Sequence, residues 1–255
     1  MYLQLIALQS IVRREIVRFL RIWVQTLLPP VITQTLYFVI FGTFIGSQLR
    51  EINGVSYMAF IVPGLVMMAV INSSFSNVVS SFFGSKFQRN LEEMLVAPVK
   101  PWVMIWGFIS GGILRGLLVG LLVFFISFFF TWPSIHNFGI ILLFIVLTAV
   151  LFSMGGMVNG IFAKKFDDVQ IFPTFVLIPL TYFGGVFYSI KDLPEFWQTV
   201  SQFNPVLYMV DGFRYGFYGF SDVNIWFSIF ILIAFTLIVG IINAYLIRKG
   251  IGLKS

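Results

Sequence analysis

The sequence has no cysteine, a single histidine (His136) and few charged residues among its 255. Without cysteine the chain has no disulfide, iron–sulfur cluster or thiol nucleophile. Charged residues make up 10% of the chain, whereas soluble domains have about 25%. The hydrophobic share is 59% and the mean hydropathy is +0.97. No water-soluble core of this length has room for so many apolar side chains, so the composition predicts that lipid is the solvent.

The long apolar segments lack the groups that drive active transport. They contain no Asp, Glu or Lys, and His136 falls in a short loop between two of them. Proton-coupled carriers commonly use intramembrane carboxylates or histidines, so this class is disfavoured. A sodium-coupled carrier that uses backbone carbonyls is left open. The chain also lacks a G-x-x-x-x-G-K-[ST] loop for ATP phosphates, so we expect energy for transport to come from another subunit.

Apolar windows of about 20 residues, the length that crosses a bilayer as a helix, occur six times. The predicted spans are Trp23–Ile45, Tyr57–Ser80, Trp102–Phe130, Phe138–Phe162, Val169–Tyr188 and Ile225–Ile247. With six spans both termini share one side, and twelve of the 16 basic residues lie there, against three on the other side and Arg115 within a span. The positive-inside rule predicts that this side is the cytoplasm. The excess of basic residues is thereby explained by topology, and no nucleic-acid partner is expected.

The sequence thus predicts an all-α, multi-pass protein of the plasma (inner) membrane with one domain, residues 1–255. In residues 1–22 apolar residues recur at helical spacing with arginines on the other face, which predicts an amphipathic helix in the membrane interface. Pro29-Pro30 either kinks the first span or opens it. Residues 189–223, on the outer side between the last two spans, are dense in aromatics and predict short helices that dip into the outer leaflet.

The segment 86–98, between the second and third spans, predicts a short amphipathic cytoplasmic helix ended by Pro98. Its apolar residues recur at helical spacing, and Arg89 and Glu93 stand four apart on another face. A helix held between two spans suits contact with a partner protein. The alternative, a helix resting on the membrane, is disfavoured by its acidic residues. The candidate contact residues are Phe87, Gln88, Arg89, Leu91, Glu92, Glu93, Met94 and Leu95.

The second span has a polar stripe at helical spacing, composed of Asn72, Ser73, Ser76, Asn77 and Ser80. Polar side chains in a bilayer face a partner helix or a wet cavity. Contact between helices and lining of a pathway are therefore both open for this stripe. On the fifth span, the pathway candidates are Thr174 and Thr181.

The third span contains Gly112, Gly116 and Gly120, a spacing that permits close approach of another helix. Arg115 lies beside this ladder. Its long stem favours snorkelling to the interface, and a substrate-binding arginine is the alternative.

Two other classes of protein compete with a transporter subunit. A membrane-embedded enzyme would need paired acids, and Asp167-Asp168 is the only candidate on the inside. Adjacent residues point in different directions, so we predict a solvated turn there. A passive channel that needs no partner is the other alternative.

An ordered set of motifs resembles the membrane subunit of ABC-2 type transporters over nearly the whole chain. These motifs are the amphipathic N-terminal helix, Phe60-Ile61-Val62-Pro63-Gly64-Leu65, the loop 89–98, the run 179–188, Leu193-Pro194, Asn204-Pro205 and Asp211-Gly212-Phe213-Arg214.

The resemblance implies an ATP-driven exporter in which two permeases pair around a central pathway. A separate ATPase docks on each permease and binds ATP and Mg, so this chain would bind no cofactor. Segment 86–98 would be the coupling helix that moves when the ATPase dimer closes, and residues 189–223 would close the outer end as re-entrant helices. The pathway spans are poor in aromatics that stack on sugars, so a glycan cargo is disfavoured. Apolar spans, a mild polar stripe and the lack of an anion site within the membrane favour an amphipathic, lipid-linked or hydrophobic cargo over a highly charged one.

Overall fold

A computed structural model describes residues 2–48, 51–52, 54–97 and 99–253. These residues form helices joined by short connections, with one isolated bridge between Ile52 and Val55 and no strand among them. The α-helices are α1 (Tyr2–Arg21), α2 (Trp23–Thr26), α3 (Leu28–Tyr37), α4 (Tyr57–Phe87), α5 (Asn90–Val96), α6 (Pro101–Ser127), α7 (Phe138–Phe162), α8 (Phe166–Phe172), α9 (Ile178–Tyr182), α10 (Glu195–Gln202), α11 (Pro205–Tyr218) and α12 (Ile225–Lys249). A π-helix at Phe38–Ile45 continues α3, another at Pro173–Leu177 joins α8 to α9, and 3-10 turns lie at Gly46–Gln48 and Ile190–Asp192.

Five helical segments in the described ranges are long and apolar enough to cross a membrane: Trp23–Ile45, α4, α6, α7 and α12. They correspond to five of the six predicted spans. At the remaining one, Val169–Tyr188, the helix begins earlier, ends at Tyr182, and consists of consecutive pieces of seven, five and five residues. These measure about 25 Å at 1.5 Å per residue, short of the roughly 30 Å hydrocarbon core. A sixth crossing therefore stays a prediction.

The centre of the bundle is α4, which is buried along nearly its whole length between α6 and α7. By contrast, α12 and the segment Trp23–Ile45 lie at the periphery and expose most of their apolar side chains. In a water-soluble protein the most apolar helices would be buried, but in lipid they can lie on the outside. The polar residues of the second span are accordingly carried by the best-enclosed helix.

The glycine ladder of α6 faces α4 and α7. A Cβ added at Gly112 would lie 2.8 Å from the Ser74 carbonyl oxygen and 2.5 Å from Val78 Cγ2. At Gly116 it would meet the Ser74 hydroxyl, and at Gly120 it would lie 2.6 Å from Val70 Cγ2. The three glycines therefore lie where α6 packs closely against neighbouring helices, as their spacing predicts.

The N-terminal helix α1 packs on the start of α6, where the Gly107 position contacts Ile11 and the Gly111 position contacts Glu15. Helices α1 and α5 share one end of the bundle, which we call the α5 end; α10 and α11 lie at the opposite end, the α11 end. Residues 189–223 contain two α-helices, α10 and α11, and α11 is buried against α4, α7 and α12. The depth of α1 and of these helices in a bilayer stays a prediction.

Candidate functional site

The connection between α4 and α5 differs from the predicted helix at 86–98. Helix α4 runs seven residues beyond Ser80, to Phe87, and α5 is a separate helix that begins only at Asn90. The chain reverses at Arg89, whose φ of 62° is in the left-handed region. That conformation is uncommon for a residue with a side chain. Pro98, the predicted helix stop, lies outside the described residues.

The side chains of α5 divide into a buried anchor and an exposed face. Leu91 is fully buried in a core cluster with Val103 and Phe108, and Met94 is partly buried beside it. Leu91 is therefore unavailable to a partner, which corrects its assignment as a contact residue: its side chain fastens α5 to the body. The exposed candidates are Phe87, Gln88, Arg89, Glu92, Glu93 and Leu95, and the neighbouring Val96 is 88% exposed.

Lys86 ties the root of α5 to the end of α7. Its Nζ donates to the carbonyl oxygens of Ile161 and Ala163 at 2.8 and 2.9 Å. The last carbonyls of a helix lack intrahelical donors and carry partial negative charge, so a lysine is well placed there. In the sequence, Lys86 is recognisable only as one of the basic residues that set the membrane orientation. Its partner Ile161 lies 75 residues away, and no local pattern indicates it.

The same junction contacts α8 through aromatic rings. Phe87 belongs to α4 rather than to α5, and its ring centroid lies 4.9 Å from that of Phe166 in an edge-to-face arrangement. Phe83 packs edge-on against Phe166 at 5.1 Å. Such pairs contribute about 0.5–1.5 kcal/mol beyond their buried area. The end of α4, from which the chain continues into α5, therefore contacts the ends of both α7 and α8.

The turn between α7 and α8 is fixed by Asp168. Its Oδ2 accepts from the backbone N–H groups of Lys164 and Lys165 at 2.8 and 3.0 Å, as the cap of α8. These hydrogen bonds hold the pKa of the Asp168 carboxyl below its ordinary value of 3.8. Both acids lie in the first turn of α8, where Asp167 is exposed and Asp168 is partly buried, so the predicted solvated turn is the start of a helix.

We expect Asp168→Asn to loosen this turn. The carboxylate is favoured by the fold, so its stabilisation is fully present above pH 3.8 and is lost as the pH falls through the lower folded-state pKa. Hydrogen exchange at the Lys164 and Lys165 amides should be faster in Asp168→Asn at neutral pH and should converge with the wild type in acid. Asp167→Asn is the control, because no cap hydrogen bond was found for it; equal acceleration in both variants would contradict the assignment.

The polar stripe of α4 is divided between two environments. Asn72, Ser76 and Ser80 lie on an open face, whereas Ser73 and Asn77 are buried inside the protomer. The structure therefore places Ser73 and Asn77 among helix contacts and leaves Asn72, Ser76 and Ser80 accessible on the surface of the protomer. The role of Asn72, Ser76 and Ser80 in a pathway stays a prediction.

Asn77 belongs to a buried polar cluster that joins α1 to α4. Arg18 Nη2 donates to its side-chain and backbone oxygens at 3.0 and 3.1 Å. Glu15, with no exposed surface, pairs with Arg14 and Arg18 at 3.1 and 3.4 Å and accepts from Ser81. The arginines of α1, predicted to face headgroups, thus also hold α1 on the bundle.

The two threonines of the fifth span also differ. Thr174 is exposed on the π-helix, whereas Thr181 is fully buried and donates to the Ile178 carbonyl at 2.8 Å. Thr181 is therefore occupied within its own helix and does not reach an open surface of the protomer.

Arg115 satisfies a carbonyl at the break in the first span. Pro29 and Pro30 lie in the first turn of α3, where the missing N–H is tolerated. Pro30 stands four residues after Thr26, so the Thr26 carbonyl loses its helical donor. Arg115 Nε and Nη2 donate to that oxygen at 3.2 and 2.8 Å. The snorkelling prediction is thus replaced by a specific contact between α6 and the proline break.

A groove of about 400 Å³ opens beside Arg115, between α3, α4 and α9. Its polar lining residues are Gln25, Thr33, Gln34, Tyr37, Asn72 and Tyr182. The Tyr37 and Tyr182 hydroxyls are 2.7 Å apart, so the groove is bridged between the first span and α9. Sequence reasoning did not bring these residues together, since they come from three separate segments.

At the α11 end, Arg214 is buried at 2% exposure over the ring of Phe60, 3.8 Å from the centroid. Its Nη2 donates to the Gly185 carbonyl at 2.6 Å, and its Nη1 lies 4.0 Å from Asp211 Oδ1. The Asp211 carboxylate also accepts from the Asp222 and Val223 N–H groups at 2.9 and 3.0 Å. Two helices, α4 and α11, and two connections therefore meet around one guanidinium.

The proline–glycine motif of α4 receives the connection after α9. A Cβ at Gly64 would lie 2.6 Å from the Val186 carbonyl oxygen, so only glycine admits this close approach. Tyr57 and Tyr218 add hydrogen bonds to Phe187 and Ala59, at 3.0 and 2.7 Å. Three motifs that are far apart in sequence, around Gly64, Gly185 and Asp211, thus converge at the α11 end.

Among the described residues no cluster of His, Asp or Glu has the arrangement of a metal site. The candidate functional features are the exposed helix α5, the accessible polar residues of α4, and the groove beside Arg115.

Comparison with known proteins gives a consistent result. Residues 6–218 match the family model for the ABC-2 type transporter membrane domain. The chain is 56% identical to the inner membrane transport permease YadH of Escherichia coli (strain K12), over 100% of both chains. It is also 23% identical to nodulation protein J of Rhizobium leguminosarum bv. trifolii, over 92% of each. The family and the apolar helices indicate a multi-pass inner-membrane protein, and the family implies a partner ATPase subunit. This chain belongs to the ABC-2 type transporter permease family.

Proposed function

We propose that this chain is the permease subunit of an ATP-driven exporter, with α5 as the helix that receives force from the ATPase. The observation that carries the proposal is the position of α5: its outer face is exposed, and its root contacts α7 through Lys86 and α8 through Phe87. A movement imposed on α5 therefore reaches three helices at once. Packed helices that have two stable arrangements can convert a small shift of one helix into the opening of a pathway.

The proposed topology has six spans, with the α8–α9 segment as the fifth crossing and both termini in the cytoplasm. The charge distribution supports this orientation, because Arg248 and Lys249 at the basic end of α12 lie beside Leu95 of α5. The α11 end would then face outward, with α10 and α11 closing the pathway. Pro173 and Pro179 flank a π-helix in α8–α9, a place where helices commonly bend.

We propose that two copies pair with the polar face of α4 toward the pathway. Asn72 and Ser76, which are half-buried, and Ser80, which is exposed, form a line of accessible polar side chains on an otherwise enclosed helix, and exposed Thr174 is the matching candidate on the fifth crossing. Such groups are costly against lipid and favourable against a wet cavity. The cargo would be amphipathic, lipid-linked or hydrophobic, and ATP and Mg would be bound by the ATPase alone.

The test is reconstitution of the permease with the ATPase subunit that co-purifies in mild detergent. We expect the pair Glu93→Arg and Val96→Asp to reduce complex formation and transport-coupled ATP hydrolysis about 10-fold, which corresponds to about 1.4 kcal/mol. Both side chains are exposed, so the fold should be unaffected. Glu195→Arg, an exposed charge reversal on α10, is the matched control. Transport by the permease without an ATPase would instead establish a passive channel.

A further inference from the structure

The groove beside Arg115 contains a cation with no acidic partner. No carboxylate in the described part of the chain lies within 4.0 Å of its guanidinium, and Glu15 is paired with Arg14 and Arg18. A charged group in apolar surroundings is costly unless it is paired. The Thr26 carbonyl compensates only part of that cost, because it is a neutral acceptor.

The guanidinium also keeps donors for a second partner. An arginine has five N–H groups in a planar fork, and two nitrogens, Nε and Nη2, donate to the Thr26 oxygen. Nη1 has no acceptor among the described residues. Arginine binds carboxylates and phosphates through two parallel hydrogen bonds more readily than other side chains do.

A second feature of the groove, the unpaired side-chain oxygen of Gln34, also indicates a ligand. Gln34 is 4% exposed, and its Oε1 has no hydrogen-bond donor in the described structure. A buried acceptor without a donor costs about 1–3 kcal/mol. Gln34 lines the same groove as Arg115 and Asn72. A ligand that brings both an anionic oxygen and a hydroxyl would satisfy both groups.

From this geometry we infer that the groove binds the head group of an amphipathic anion, a phosphate ester that also presents a hydroxyl, with Arg115 as the anion-binding residue. Apolar walls, including Met68 and Ile178, share the lining of the groove with these polar groups. A single-chain or double-chain tail would lie along those walls. The inference rests on the proposed function in taking this ligand as the cargo.

The test is direct binding to the purified full chain in nanodiscs of neutral phosphatidylcholine. The probes are radiolabelled dodecyl phosphate and the neutral dodecyl glycerol ether, with empty nanodiscs as background. Arg115→Gln should weaken dodecyl phosphate binding at least about 10-fold and leave the neutral probe unchanged. Arg13→Gln, which removes an exposed cation of α1 outside the groove, should bind both probes as the wild type does.

Several outcomes would overturn the inference: wild-type phosphate binding by Arg115→Gln, an equal loss in Arg13→Gln, or displacement of the probe by inorganic phosphate alone. If Arg115→Gln fails to fold, Thr33→Trp decides, because Thr33 is exposed in the groove and tryptophan fills the space. Loss of binding in Thr33→Trp supports the site, and retained binding refutes it. No ATPase takes part, so this result is independent of whether one docks on α5.

Discussion

Arg214→Met should lower the free energy of unfolding by about 3–5 kcal/mol, the cost of removing one partner from a buried charged pair. The substitution leaves the Asp211 carboxylate buried without its cation, and it removes the hydrogen bond to Gly185 and the cation over the Phe60 ring. The thermal midpoint in detergent, followed by size-exclusion chromatography after heating, measures this loss.

Lys191→Met is the control at the same end of the bundle. Lys191 pairs with Asp222 at 3.3 Å but is 65% exposed, and exposed ion pairs contribute at most about 1 kcal/mol. If the two variants unfold at the same temperature, the network around Arg214 does not hold the α11 end together.

Gly112→Ala should destabilise the bundle by about 1–3 kcal/mol or more, the range for overfilling a packed interior. Its methyl group would press on the Ser74 carbonyl of α4 and on Val78. Backbone cannot move aside as a flexible side chain can, so α4 and α6 would have to separate.

Gly84→Ala makes the same chemical change inside α4 where nothing lies within 4 Å. Alanine is favoured over glycine within a helix by about 0.5–1 kcal/mol, so this variant should be as stable as the wild type or more so. Thermal midpoints of the pair thus separate close packing from helix propensity. Two destabilised variants would contradict the interpretation of the glycine ladder.

Sequence patterns were sufficient to predict the long apolar helices and one of their packing faces. Apolar length located five of the spanning helices, and the Gly112 spacing located the face that meets α4, because both depend on local composition. The C-terminal end of α4 was not predictable in the same way. The apolar run weakens after Ser80, yet the helix continues to Phe87 because Lys86 and Phe87 find partners on α7 and α8. Those partners become visible only in three dimensions.

The same limit explains the reassigned residues. Leu91 has the spacing of an exposed apolar stripe, and no local pattern tells that its side chain points toward Phe108 rather than toward a partner. Arg115 was judged by its depth, whereas its first contact is dictated by Pro30, far away in sequence. The Arg115 contact depends on the fold, since it joins a side chain to a backbone oxygen that a proline has left without its helical donor.

The central claim is that α5 faces the cytoplasm and is covered there by an ATPase. The absence of native cysteine makes it testable by labelling single-cysteine variants, Val96→Cys on α5 and Trp132→Cys, both largely exposed in the protomer, with a membrane-impermeant maleimide. We predict labelling of Val96→Cys only in inside-out vesicles, with protection when the ATPase is co-expressed, and labelling of Trp132→Cys only in spheroplasts. Labelling of Val96→Cys from outside the cell would contradict the account.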